Sequence, residues 1–191
     1  MIITISGTPG SGKSTVAKML AEKLHAERIY VGSIRRELAR KKGWTLEQLN
    51  EYGKTHPETD VDVDKAAAAQ ARTLEQQGKI VVDEGRMQFH FLPESIKMYI
   101  KVDPAEGARR IWKDLQVQTL VQQRNEGVFT SLQDVKKSII KREENDAQRY
   151  TKFYGVTHRD ESQYDLVIDS TNISPEKVLK KIIEYIEAIE P

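Results

Sequence analysis

Residues 7–14 read Gly7-Thr8-Pro9-Gly10-Ser11-Gly12-Lys13-Ser14, and this octapeptide constrains the chain more than any other feature. It fits the pattern G-x-x-x-x-G-K-[ST]. The glycines let the backbone curl so tightly that successive N–H groups converge on an anion. A helix that follows aims its positive end at the same point. In this arrangement the Lys13 ammonium reaches the β- and γ-phosphates of a nucleotide, and the Ser14 hydroxyl ligates Mg2+. Gly7, Thr8, Pro9, Gly10, Ser11, Gly12, Lys13, Ser14 and Thr15 are therefore the candidate ATP-binding residues. Four constrained positions match by chance in a chain this size on the order of once in a hundred, from average composition. An ordinary glycine-rich turn is the plain alternative. The flanks favour the phosphate loop: a β-branched run, Ile2 to Ser6, precedes it, and an apolar stripe of Val16, Met19, Leu20 and Leu24 follows.

Further runs repeat this alternation. Short strands are expected at 28–31, 79–83, 96–102 and 164–169, giving five with the first. Helices are expected at 13–25, 33–42, after the Thr45-Leu-Glu-Gln48 capping box, 58–77, from Asp103-Pro104 onward, 131–150, and from Ser174-Pro175 to the end. Strands that alternate with helices predict an α/β fold, a parallel sheet covered on both faces. Two helical segments interrupt the alternation, near 44–77 and 112–150. The Gln-rich stretch from Asp114 to Thr130 reads as irregular.

Composition narrows the partners. The 191 residues hold 30 Lys and Arg against 29 Asp and Glu, a net charge of +1, which argues against a dedicated nucleic-acid binder. The absence of cysteine excludes disulfides and Cys-ligated metals. No apolar run approaches the roughly 18–20 residues of a membrane span. The first residues lack the basic region of a signal peptide. A single cytoplasmic domain, 1–191, is the expectation, with no membrane partner and a monomeric or weakly oligomeric state.

The phosphate loop is followed, in order, by Gly32-Ser33-Ile34-Arg35-Arg36-Glu37-Leu38-Ala39, by Pro57-Glu58 with Asp60 and Asp64, and by Val82-Asp83-Glu84-Gly85-Arg86. Then come Arg142-Glu143-x-x-Asp146-x-x-Arg149 and Tyr164-Asp-Leu-Val-Ile-Asp169. The set spans nearly the whole chain and resembles the nucleoside monophosphate kinases, most of all the cytidylate kinases in their bacterial and archaeal forms. The N-K-x-D element with which GTPases read guanine does not occur. The resemblance implies the P-loop NTPase fold, three layers α/β/α on a five-stranded parallel sheet. It also implies a helical acceptor-binding segment at about 32–78 and a lid at about 113–131. Its implied chemistry is transfer of a phosphoryl group from ATP, with Mg2+, to CMP or dCMP. The Gln-rich stretch departs from the family's usual lid, and Ser33 departs from the archaeal pattern, which favours Asp there.

A reaction of this kind asks the protein for positioning and positive charge rather than covalent chemistry. Arginine suits it, because the planar guanidinium binds phosphate bidentately. Arg86 follows the third strand at its C-terminal end, where open α/β sheets place ligands. The resemblance gives Arg36 the acceptor phosphate, Arg142 and Arg149 the transferring phosphates, and Asp146 the acceptor sugar. Read alone, these last three fit an i,i+3/i+4 ion-pair stripe. Strand alternation favours Asp83 for the metal, whereas the resemblance makes the position of Glu84 acidic; both stand as candidates. Asp60 and Asp64, one turn apart, either favour the helix dipole or read the exocyclic amine of an acceptor base.

Arg35 reads as a surface residue. The four histidines show no ligand spacing and read as surface or loop positions, and Trp44 and Trp112 as partly buried anchors. Arg109, Arg110 and Arg124 either face phosphates or sit on exposed helix faces. Two other functions stay open on the sequence: a kinase for another acceptor, as in an adenylate kinase-like enzyme, and an ATP-binding regulator without transfer.

Overall fold

A computed structural model describes residues 1–118, 124–125 and 128–189. Five parallel strands form one sheet: β1 (Ile2–Gly7), β2 (Glu27–Tyr30), β3 (Val81–Glu84), β4 (Ile96–Lys101) and β5 (Leu166–Asp169), in the order β2-β3-β1-β4-β5. All four pairings are parallel, with Ile5 opposite Glu84 and Tyr30 opposite Glu84 at the C-terminal ends. The helices are α1 (Lys13–Leu24), α2 (Val31–Lys41), α3 (Leu46–Tyr52), α4 (Glu58–Gln76), α5 (Gln88–Phe91), α6 (Pro104–Asp114), α7 (Leu132–Tyr154) and α8 (Pro175–Ile189).

The apolar patterning divides the sheet cleanly. Ile3, Ile5, Val82, Met98 and Ile100 face α1 and α8, where Val16, Leu20, Val178, Ile182 and Ile186 complete one core. Ile2, Ile29 and Val81 face the opposite way, against Ala67, Ala68 and Ala71 of α4 and Leu92. Period-2 alternation along β3 therefore sends Val82 and Glu84 toward α1, and Val81 and Asp83 toward α4. A third cluster of Met87, Phe89, Tyr99, Tyr150 and Tyr164 seats α7 beside the strand ends.

The expected caps form. Thr45 and Gln48 make the reciprocal capping box of α3. Asp103 accepts from Ala105 and Glu106 ahead of Pro104. Ser131 accepts from the Asp134 amide at 3.1 Å, and α7 runs four residues beyond its expected end before Gly155 stops it in the left-handed region. Helix α2 starts directly after β2, two residues before the expected Ser33. Part of the Gln-rich stretch, residues 119–123 and 126–127, lies outside the described residues.

Candidate active site

The loop between β1 and α1 sits at the C-terminal edge of the sheet, where parallel strands leave a crevice. Thr8 fixes its base: the Thr8 amide donates to the Ile100 carbonyl at 3.2 Å, and its hydroxyl accepts from the Val102 amide at 3.1 Å. Two glycines are required for stated reasons. Gly12, the residue before α1, has φ of 82°, a left-handed conformation that side chains disfavour. At Gly10 a Cβ would meet the Gly107 carbonyl of α6 at 2.4 Å. The loop therefore packs backbone to backbone on α6.

A cavity of about 830 Å3 opens over this loop. Pro9 to Thr15 line it, with Arg28, Arg36, Arg86, Arg110 and Arg142. A smaller cavity of about 70 Å3 lies behind it, lined by Arg35, Asn50, Asp60, Asp64, Asp146 and Arg149. Lys13, Tyr30, Arg36, Arg86 and Arg142 belong to both walls. The Lys13 ammonium lies half-buried among these cations, and its pKa falls to about 7 through burial first and Arg86 second. An incoming polyanion reverses that penalty, because the same positive field that disfavours Lys13 alone favours a phosphate beside it.

The inner cavity is built on a buried chain of alternating charge. Arg35 pairs with Asp60, and Asp60 with Arg149 at 3.1 Å. Arg149 donates to Asp146 at 2.6 Å, to Asn145 at 2.7 Å and to the Asn50 carbonyl at 3.1 Å. Asp146 also receives Arg86, with Arg142 3.9 Å away. Arg86 continues to Glu143 at 2.9 Å. Arg149, Asp60 and Asp146 are each at most 2 % exposed, so these charges survive burial only by pairing.

Ser14 and Glu84 meet on the α1 side, where the Ser14 hydroxyl donates to the Glu84 carboxylate. That pair fits Mg2+, which takes few protein ligands and completes its shell with phosphate oxygens and water.

Residues 3–127 match a family described as "AAA domain". A cytidylate kinase of Archaeoglobus fulgidus is 36% identical over 98% of this chain and 95% of its own length. One of Pyrococcus horikoshii is 31% identical over 100% of this chain and 91% of its own. The chain belongs to the cytidylate kinase family. Among solved structures, a shikimate kinase of Bacteroides thetaiotaomicron superposes with a TM-score of 0.58 at 16% identity over 98% of both chains. A sugar kinase of Janibacter matches with a TM-score of 0.58 at 15% identity over 97% of this chain and 94% of its own. These two likenesses carry the kinase fold alone.

As a member of the cytidylate kinase family, the chain brings together most of the residues singled out by its motifs. Lys13, Arg36, Arg86 and Arg142 converge, while Arg149 and Asp146 stand one layer deeper. Asp83 and Glu84 part company: Asp83 turns toward α4, is fully buried, and has no hydrogen-bond partner for either carboxylate oxygen among the described residues. Burial first, then the nearby Asp64, pushes its pKa up to about 8. Asp64 accepts from Gln88 at 3.1 Å and from the Tyr154 hydroxyl at 2.8 Å, and burial lifts it to about 7.

One expectation is corrected and two readings are sharpened. Arg35 is buried, not at the surface: it ties α2 to the Thr59 carbonyl at 2.7 Å and to Asn50 at 2.9 Å. The signal was present, since Val31, Arg35 and Ala39 form one buried stripe at i, i+4 spacing. His158 stands in a loop turn, as read, but is 1% exposed and packs edge-on against Tyr150, with burial lowering its pKa to about 3. Of the two readings of Arg110, the one toward the phosphates fits: it lines the outer cavity, held by the Ser170 carbonyl at 2.9 Å and the Thr171 carbonyl at 3.0 Å. Trp44 and Trp112 are half-buried, as expected.

Proposed function

We propose that this chain transfers the γ-phosphoryl group of ATP to CMP or dCMP, giving ADP and CDP or dCDP. The observation that carries the reading is the shared wall: Lys13, Arg36, Arg86 and Arg142 line both cavities, so one cationic seam faces two anionic ligands. The outer cavity suits ATP on the phosphate loop. The inner one, closed by α2, α3 and α4, holds only about 70 Å3, less than a nucleotide fills, so the acceptor would reach across the shared wall into the outer cavity, with about 32–78 as the acceptor-binding segment. The acceptor phosphate is itself the nucleophile, so no protein base is required. Lys13 and the seam arginines stabilise charge on the transferring group's equatorial oxygens.

Ser14 and Glu84 would hold Mg2+, which supplies charge neutralisation across the ATP phosphates. Asp60 is paired with two arginines, whereas among the described residues Asp64 accepts only from neutral donors, Gln88 and Tyr154, and has no opposing cation in contact, so of the two it is the acceptor proposed for an exocyclic amine. Such a group favours cytosine or adenine over bases that lack an amine. Of these two, the relatives named cytidylate kinase support cytosine.

Purified protein with Mg2+ and ATP, offered CMP, dCMP, AMP and UMP in turn, tests it. Turnover with CMP or dCMP at least tenfold above AMP and UMP is expected. Preference for AMP overturns the acceptor assignment, and ATP binding without transfer to any monophosphate overturns the kinase reading.

A further inference from the structure

We infer that Arg28, a β2 residue outside every motif of the sequence, is a positioning residue for the metal-facing carboxylate of Glu84. The inference rests on the reading of Ser14 and Glu84 as the Mg2+ pair and is independent of which acceptor is used. The two oxygens of Glu84 are divided between different partners. Oε1 accepts from the Ser14 hydroxyl, and Oε2 accepts from the Arg28 guanidinium at 2.5 Å.

Arg28 is itself held from several directions. The same Arg28 nitrogen donates to the Ser14 carbonyl at 3.2 Å. Its guanidinium lies 4.9 Å from the centre of the Tyr30 ring. Strand pairing of β2 with β3, which sets Tyr30 opposite Glu84, delivers both residues to the same edge. Tyr30 is fixed in turn, since its hydroxyl accepts from Arg36 at 2.8 Å.

The physical argument follows from burial. Glu84 is 1% exposed, and a carboxylate so deep needs a fixed counter-charge. Arg28 supplies it at Oε2, the oxygen that Ser14 does not engage. One oxygen is thereby pinned, and the other stays turned to Ser14, where a metal would be met. Without Arg28 the terminal torsion of Glu84, which is broad and only weakly staggered, is set by Ser14 alone. Partners that orient a ligating carboxylate are worth about 10–100-fold in metal affinity.

The test uses Mn2+ as a paramagnetic stand-in, titrated by electron paramagnetic resonance onto the full chain with a non-hydrolysable ATP analogue. For Arg28→Ala, the Mn2+ dissociation constant should rise about tenfold, and the Mg2+ concentration for half-maximal turnover by a similar factor. The acceptor KM should move less than twofold. Arg28→Lys should recover at least a third of the loss in affinity. Unchanged or tighter Mn2+ binding in a folded Arg28→Ala protein overturns the inference, the tighter result marking Arg28 as a competitor of the metal. Should that variant fail to fold, Arg28→Gln, which keeps an N–H donor without charge, is judged by the same criterion. Wild-type protein that binds no Mn2+–nucleotide overturns the metal reading of Ser14 and Glu84 itself.

Discussion

The phosphate loop and the inner charge chain meet at one seam but are made in opposite ways. The loop is nine consecutive residues, supported by backbone contacts to β4 and α6, and its lysine has no ion pair among the described residues. The charge chain draws Arg35, Asp60, Arg86, Asp146 and Arg149 from four separate segments, and nearly every charge in it is spent on a neighbour. The first region keeps its positive charge available for a ligand. The second uses its charge to hold helices α2, α4 and α7 in place. Positive charge therefore has different work on the two sides of one wall, and Arg86 belongs to both.

Three substitutions bear on this contrast, the largest effect first. Lys13→Ala should lower kcat about a thousandfold while leaving the thermal unfolding midpoint within a few degrees, because an available charge acts on the transition state. A loss of stability as large as the loss of activity would erase the distinction. Asp146→Asn should do the reverse in proportion. Removing one partner of a buried ion pair costs about 3 kcal/mol or more, here shared among three arginines, and urea unfolding would read it. Stability within about 0.5 kcal/mol of wild type, the usual range for surface changes, would mean that the chain is not structural.

Asp83 sharpens the comparison at the smallest scale, as a buried charge site with no arginine. Its pKa is raised in the folded state to about 8 from an ordinary 3.8, so the folded protein holds a proton that the unfolded chain releases. The stability this contributes is fully present below about pH 4 and is lost as pH rises to about 8. Asp64, raised to about 7, adds to the same slope. Asp83→Asn, which keeps a buried polar group but cannot ionise, should flatten the decline between pH 5 and 8 and raise the denaturant midpoint at pH 8. Denaturant midpoints across that range provide the check, and an unaltered slope would count against an ionising Asp83.

How much of this the sequence disclosed follows from the same contrast. A loop written in consecutive residues is legible as a pattern, and so is the strand–helix alternation that places it. The caps at Thr45, Asp103 and Ser131 are equally local. Most of the charge chain is not, because apart from the local Asp146–Arg149 step its partners lie 15 to 99 positions apart and only the packing of α2 and α7 makes them neighbours. Arg35 and Arg36 look alike in the sequence, yet one helical step of about 100° sends the first into the core and the second to the seam. Strand alternation favours Asp83 in the sequence and the resemblance favours Glu84, and the choice stays open for a related reason. Both flanking valines are apolar, so the alternation of β3 has no sequence-visible face.

The buried alternation of Arg35, Asp60, Arg149, Asp146 and Arg86 also bears on how such a chain can change over generations. Loss of any one member takes a partner from each neighbour, and loss of Asp60 leaves Arg35 without a carboxylate, so a single replacement destabilises the fold even where no ligand is touched. Drift through this region must then proceed by compensating exchanges, in which two linked positions alter together. Half of a charge pair inherited by recombination would be worse than either parent.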